Sequence, residues 1–151
     1  MRYTPAQVKE ALEITEETLR YWRQKLPPLK GKKGYAPCFS PGDLLALKVV
    51  TQIHGLGVNV GELVSHSVEF FKACSQGAWF GLEDKVLVFD GQTMELVSAS
   101  EEGSWAQQTR IAVPLGPLIR QLRQRLSEEE SSPAQPEIVF PPLGVAQGRS
   151  K

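Results

Sequence analysis

The chain has 151 residues, 41% hydrophobic and 23% charged, and its 17 Lys/Arg balance 17 Asp/Glu to a formal net charge of zero. This is the make-up of a soluble globular protein, one ordinary domain or two small ones sharing a core, and no apolar run is long enough to span a membrane. The polar start MRYTPAQVKEAL lacks a signal core, and Cys38 and Cys74 lack C-x-x-C spacing; the expectation is a reducing cytoplasm, with no disulfide framework and no thiolate zinc site.

The zero conceals an asymmetry. Residues 1–76 hold ten Lys/Arg against seven Asp/Glu, and residues 77–151 hold seven against ten. Between Glu17 and Asp43 there are six cations and no acid, which hints at a polyanionic partner for the first half.

In chain order, Thr4 is an N-cap, with Pro5 at the first helical position and Gln7 completing a capping box. Val8 and Leu12 give this short helix its apolar face. A tight turn at Glu13-Ile14 leads to Thr15, which caps a second helix carrying Glu16 and Glu17 in its first turn and Leu19, Trp22 and Leu26 along it. Pro27-Pro28 stops it. Two helices joined by a three-residue turn over residues 4 to 26 have the outline of a helix-turn-helix. The segment PPLKGKKGYAPCFS then reads as a two-armed loop, or wing, with an extended GYAPCF piece.

Ser40, Pro41 and Asp43 start a third helix, whose stripe Leu44, Leu47, Val50, Ile53 and Leu56 faces a core before Gly55 and Gly57 close it. Asn59 caps a fourth helix, with Leu63, Val64, Phe70 and Phe71 as its buried residues. From Trp79 the pattern becomes strand-like: AWFGL, KVLVFD, MELVSA and TRIAVPL, with turns at Glu83-Asp84 and Asp90-Gly91. Trp79 and Trp105 read as core residues of this region. Pro117 opens an amphipathic helix, PLIRQLRQRL, that either covers its own core or pairs with another subunit. The Pro-, Ser- and Glu-rich end is expected to be disordered. The expected fold class is α+β, divided into 1–76 (helical, winged helix-turn-helix), 77–127 (small antiparallel β region plus one helix, for dimerisation or sensing) and 128–151 (disordered tail).

The run Thr18-Leu19-Arg20-Tyr21-Trp22, the wing's Gly34-Tyr35, Phe39-Ser40, the Asp43-Leu44 helix start and the Ile53-x-x-Leu56-Gly57 ending occur in one order. In these features residues 3 to about 64 resemble the DNA-binding domain of the MerR family of transcription regulators. The resemblance implies a winged helix-turn-helix whose second helix enters the major groove of double-stranded DNA, with the wing along the backbone. It also implies a homodimer, and RNA polymerase as a further partner. Thr15, Glu16, Glu17 and Thr18 would then sit at the groove-facing helix start, with Arg20 and Tyr21 on phosphates. The remaining candidate DNA contacts are Arg23, Lys30, Lys32, Lys33 and Tyr35. Side-chain chemistry agrees: an Arg fork and mobile lysines suit phosphate oxygens, and Tyr can donate its hydroxyl. Where the family's wing commonly has an Arg, this chain has Ala36, and the long helix through which family members pair is missing. The alternative readings are a protein-interaction adaptor on the same fold, or a DNA-bending architectural or phage-type factor.

Nothing points to an enzyme, a cofactor or a metal. GLGVNVG follows a helix and lacks the P-loop Lys-Ser/Thr, His54 and His66 stand without a metal-binding spacing, and no G-x-S-x-G is present.

Overall fold

A computed structural model describes residues 1–100 and 108–130. The elements run α1 (Pro5–Leu12), α2 (Glu16–Lys25), α3 (Pro41–Gly55), α4 (Ser67–Cys74), β1 (Lys85–Phe89), β2 (Met94–Ser98), β3 (Ile111–Pro114) and α5 (Leu115–Glu130). The architecture is α+β, with a helical first half.

The helix boundaries follow from local chemistry. Thr4 accepts from the Gln7 amide at 3.2 Å while the Gln7 side chain accepts from the Thr4 amide at 2.8 Å, so two orphan donors of α1 are satisfied reciprocally. Glu13 ends α1 in the left-handed region at φ 58°, which turns the chain sharply enough for Thr15 to cap α2 two residues on. Leu26 leaves α2 in extended geometry ahead of Pro27, as a residue before proline must. Ser40 and Asp43 form the capping box of α3, each accepting the other's amide at 3.0 Å.

Three segments depart from the expected pattern. The fourth helix is not continuous: Val60–His66 is a tight 3-10 segment and the α-helix begins only at Ser67. Gly61 and the β-branched Val60 and Val64 disfavour α-helix there, so the tighter turn prevails. AWFGL is not a strand, because Trp79–Leu82 is also a 3-10 turn, with the Gly81 amide donating to the Ala78 carbonyl at 3.0 Å. Leu82 is buried and Phe80 is 77% exposed, a spacing that suits three residues per turn rather than alternation. Finally, α5 starts at Leu115, two residues before Pro117, whose missing N–H costs nothing in a first turn. Trp105 and the tail from 131 lie outside the described residues.

The sheet has order β2-β1-β3, both pairings antiparallel, with Leu87 opposite Leu96 on one side and Val113 on the other. The β1–β2 loop is closed by Asp90, whose carboxylate accepts from the Gln92 and Thr93 amides at 2.8 Å each. Those bonds hold its carboxyl below the ordinary Asp range. Leu87, Phe89 and Val113 face the helices, whereas Val86, Val88 and Val97 form a small separate cluster on the opposite face.

One apolar core joins both halves of the chain. Val8, Leu44, Leu47, Phe70, Leu87, Leu115, Ile119 and Leu122 belong to the same buried cluster, so the boundary at residue 76 does not interrupt it. Of the two roles open to the amphipathic helix, α5 takes the intramolecular one: Leu115, Leu118, Ile119 and Leu122 are all buried within the chain. Arg125 ties it to the α1 end, reaching Glu13 at 3.3 Å and the Glu10 carbonyl at 3.2 Å, and Arg123 pairs with Glu83.

Candidate nucleic-acid interface

The site is built on α2, whose inner face is fixed by two buried residues, Leu19 and Trp22. With these inward, the 3.6-residue period sends Glu16, Arg20, Arg23 and Gln24 to one flank and Glu17, Thr18 and Tyr21 to the other. A groove of about 540 Å³ opens on the first flank, between α2 and the loop 30–35. It gathers Glu16, Arg20, Arg23, Lys30, Lys32, Lys33 and Tyr35. The second flank lines another groove of about 550 Å³, whose far wall is His54 and Gly57 to Val60. Thr15 lines neither; its hydroxyl caps α2, accepting from the Thr18 amide at 3.1 Å.

Exposure sorts these residues further. Thr15, Glu16, Glu17, Arg20, Tyr21, Lys30, Lys33 and Tyr35 are exposed, and Thr18, Arg23 and Lys32 are half-buried. Lys30 and Lys33 are in no ion pair among the described residues. Arg20 is held only loosely, with Glu16 at 3.7 Å, and a pair that exposed contributes little. Glu16 is bound more firmly to Lys9 of α1, whose hydrogen bond and charge lower its carboxyl pKa below the ordinary 4.5. That contact braces the two helices across their turn.

The loop after α2 is anchored rather than free. After a 3-10 turn at Pro27–Leu29 with Leu29 buried, the chain bends through Gly34, which sits at φ 79° where a side chain would be strained. Its extended limb is shorter than GYAPCF suggests: only Phe39 pairs with another strand-like residue, Tyr3, through Tyr3 N–H to Phe39 O at 2.7 Å and Phe39 N–H to Tyr3 O at 3.1 Å. Phe39 itself is fully buried. Arg23 reaches across from α2, donating through Nε to the Lys32 carbonyl at 2.7 Å and through Nη2 to the same oxygen. Both of its terminal nitrogens also reach the Gly34 carbonyl, at 3.4 and 3.3 Å. Lys32 Nζ donates to the Cys38 carbonyl at 3.0 Å and lies 3.2 Å from Asp43 Oδ2.

Three contributors escaped sequence reasoning. Gln24 shares the Arg20 flank at an i, i+4 spacing, a signal that was available. His54, from α3, and Asn59, from the turn after it, meet the α2 flank across the second groove through tertiary placement, which no local pattern encodes. Among the described residues no group of His, Cys, Asp and Glu is arranged to hold a metal ion, and no helix is long and apolar enough to cross a membrane. Cys74 is buried, and burial pushes its thiol up to about 12.

A cationic groove beside a capped helix, with a second flank free to face the same ligand, is an arrangement suited to an extended polyanion. Comparison with known proteins agrees: residues 3–64 match the family model described as MerR HTH family regulatory protein. No curated protein matches the chain. Residues 3–64, from Tyr3 into the 3-10 segment after α3, are thus similar to the helix-turn-helix domain of MerR family regulators.

Proposed function

We propose that the chain is a sequence-specific, DNA-binding transcription regulator that lays α2 in the major groove and the loop 30–35 along the phosphate backbone. The observation that carries this reading is the 540 Å³ groove, where Arg20, Lys30 and Lys33 converge beside the exposed first turn of α2. Phosphate contacts from these cations set position and affinity, while Glu16, Glu17 and Thr18 offer acceptors and a hydroxyl to base edges. Tyr21 and Tyr35, 44% and 83% exposed, add hydroxyl donors at the two margins.

The regulator acts as a homodimer on two half-sites, with RNA polymerase as its downstream partner; the family resemblance supports both. The dimer surface lies outside the apolar face of α5, because that face is already covered by the chain's own core. Selection of bound fragments from a random duplex pool tests the reading. The expected result is an enriched, two-fold symmetric motif, with Glu17→Ala or Thr18→Ala changing its sequence and Lys33→Ala weakening all sequences alike. Retention of no duplex at low salt refutes it and leaves the adaptor reading, in which the same basic face docks an acidic protein.

A further inference from the structure

Two of the cations that line the groove have their polar groups engaged by the protein itself. The Arg23 guanidinium spends its donors on the carbonyls of Lys32 and Gly34 and stacks over the Phe39 ring at 5.5 Å from its centre. Lys32 is engaged as well, and its side chain is only 21% exposed. It bridges the Cys38 carbonyl to Asp43, whose Oδ2 is also the oxygen that accepts from the Ser40 amide in the α3 capping box.

We propose that Arg23 and Lys32 are positioning residues, a two-point clamp that fixes the loop 30–37 between α2 and α3 before any ligand arrives, and that the ligand-facing charge is carried by Arg20, Lys30 and Lys33. The inference rests on the proposed DNA-binding reading for its consequence, though the clamp itself can be tested without DNA. Chemistry favours the division. Arg offers a planar fork of five donors that can satisfy two carbonyls at once, which a single ammonium cannot. The loop needs such a brace because it carries Gly31 and Gly34 and little sheet pairing. Its left-handed bend at Gly34 brings the carbonyls of residues 32 and 34 within reach of the same side chain. A loop ordered in advance loses less conformational freedom on binding, so its exposed lysines act from fixed positions.

The test compares wild type with Arg23→Gln and Arg23→Lys, full-length, by two readouts. Backbone order parameters without DNA are measured at Gly31, Lys33 and Tyr35. The clamp predicts a fall from values typical of rigid backbone, about 0.85, towards about 0.6 in both variants, since Lys keeps the charge but not the fork. DNA affinity is then measured with and without Lys33→Ala. The clamp predicts that Lys33→Ala costs at least about twofold less in either Arg23 variant than in wild type, because a loosened loop no longer holds Lys33 in place. Unchanged loop order, rescue of affinity by Arg23→Lys, and additive losses together make Arg23 a plain phosphate contact and overturn the proposal. Should no duplex bind, the order parameters alone decide the clamp, while the regulator reading falls separately.

Discussion

Gly42, at the second position of α3, packs against Ser75 at the end of α4, and replacing it by alanine measures how closely those helices approach. A Cβ there would lie 2.8 Å from Ser75 Cβ and 2.9 Å from Ser75 Cα, closer than carbon atoms tolerate. Rotating the Ser75 hydroxyl away relieves its own contact but neither of these two, because the Cα is backbone and the Cβ is fixed to it. Overpacking of this kind costs about 1–3 kcal/mol, offset by at most about 1 kcal/mol of better helix propensity, and less so near near a helix start. The net loss is about 1–2 kcal/mol, which for a chain of this size lowers Tm by about 2–8 °C. Thermal unfolding followed by circular dichroism reads it. Gly42→Ala combined with Ser75→Gly removes one of the two carbon clashes and recovers part of the loss. Gly55→Ala, which has open space around its Cβ, stays neutral or gains stability. If Gly42→Ala is as stable as wild type, α4 does not sit against α3 as described.

Three further outcomes follow from the packing and charge. Leu122→Ala empties a fully buried site in α5 and should cost about 2–5 kcal/mol; because the core is continuous, hydrogen exchange should show α1 and β1 losing protection together, whereas loss confined to the sheet and α5 would mean two independent units. Iodoacetamide at mildly alkaline pH should label Cys38 and leave Cys74, whose buried thiol stays protonated to about 12, until the chain is unfolded; equal native rates at both would contradict its burial. Glu16 has a folded pKa below its unfolded value because of Lys9, so its contribution to stability is present above the ordinary carboxylate range and lost as pH falls through the folded value. Glu16→Gln should therefore melt lower than wild type at neutral pH and equal to it in strong acid; a difference that persists in acid would assign the effect to something other than this ion pair.

What could be read from residues alone was whatever chemistry within a few positions dictates. The caps at Thr4, Thr15 and Ser40, the stop at Pro27 and the Asp90 turn each depend on neighbours two or three residues away, and all appear where local rules put them. The failures have a different origin. AWFGL contains aromatic residues that suit a strand, yet the Trp79 indole donates to the Pro41 carbonyl at 3.2 Å, a long-range bond that fixes a turn. At Val60–His66 the Asn59 cap signals a helix start, but Gly61 and the β-branched Val60 and Val64 disfavour the α form, and Val60 and Leu63 are buried from the tighter spiral instead. In the candidate interface, the sequence reveals which cations exist but not which way they point. Arg23 and Lys32 look the same as Arg20 and Lys33 in a one-dimensional charge count, and only carbonyls brought together by the Gly34 bend separate them.

The central claim is that the exposed groove cations meet phosphates of double-stranded DNA, and the salt dependence of duplex binding tests it most directly. Each phosphate neutralised contributes a slope of about −0.9 to log Kobs against log salt, so Arg20, Lys30 and Lys33 together predict about −3 per protomer. Lys33→Ala should make that slope shallower by about one unit. Duplex binding that is absent, or whose slope is indifferent to both salt and Lys33, would contradict the account.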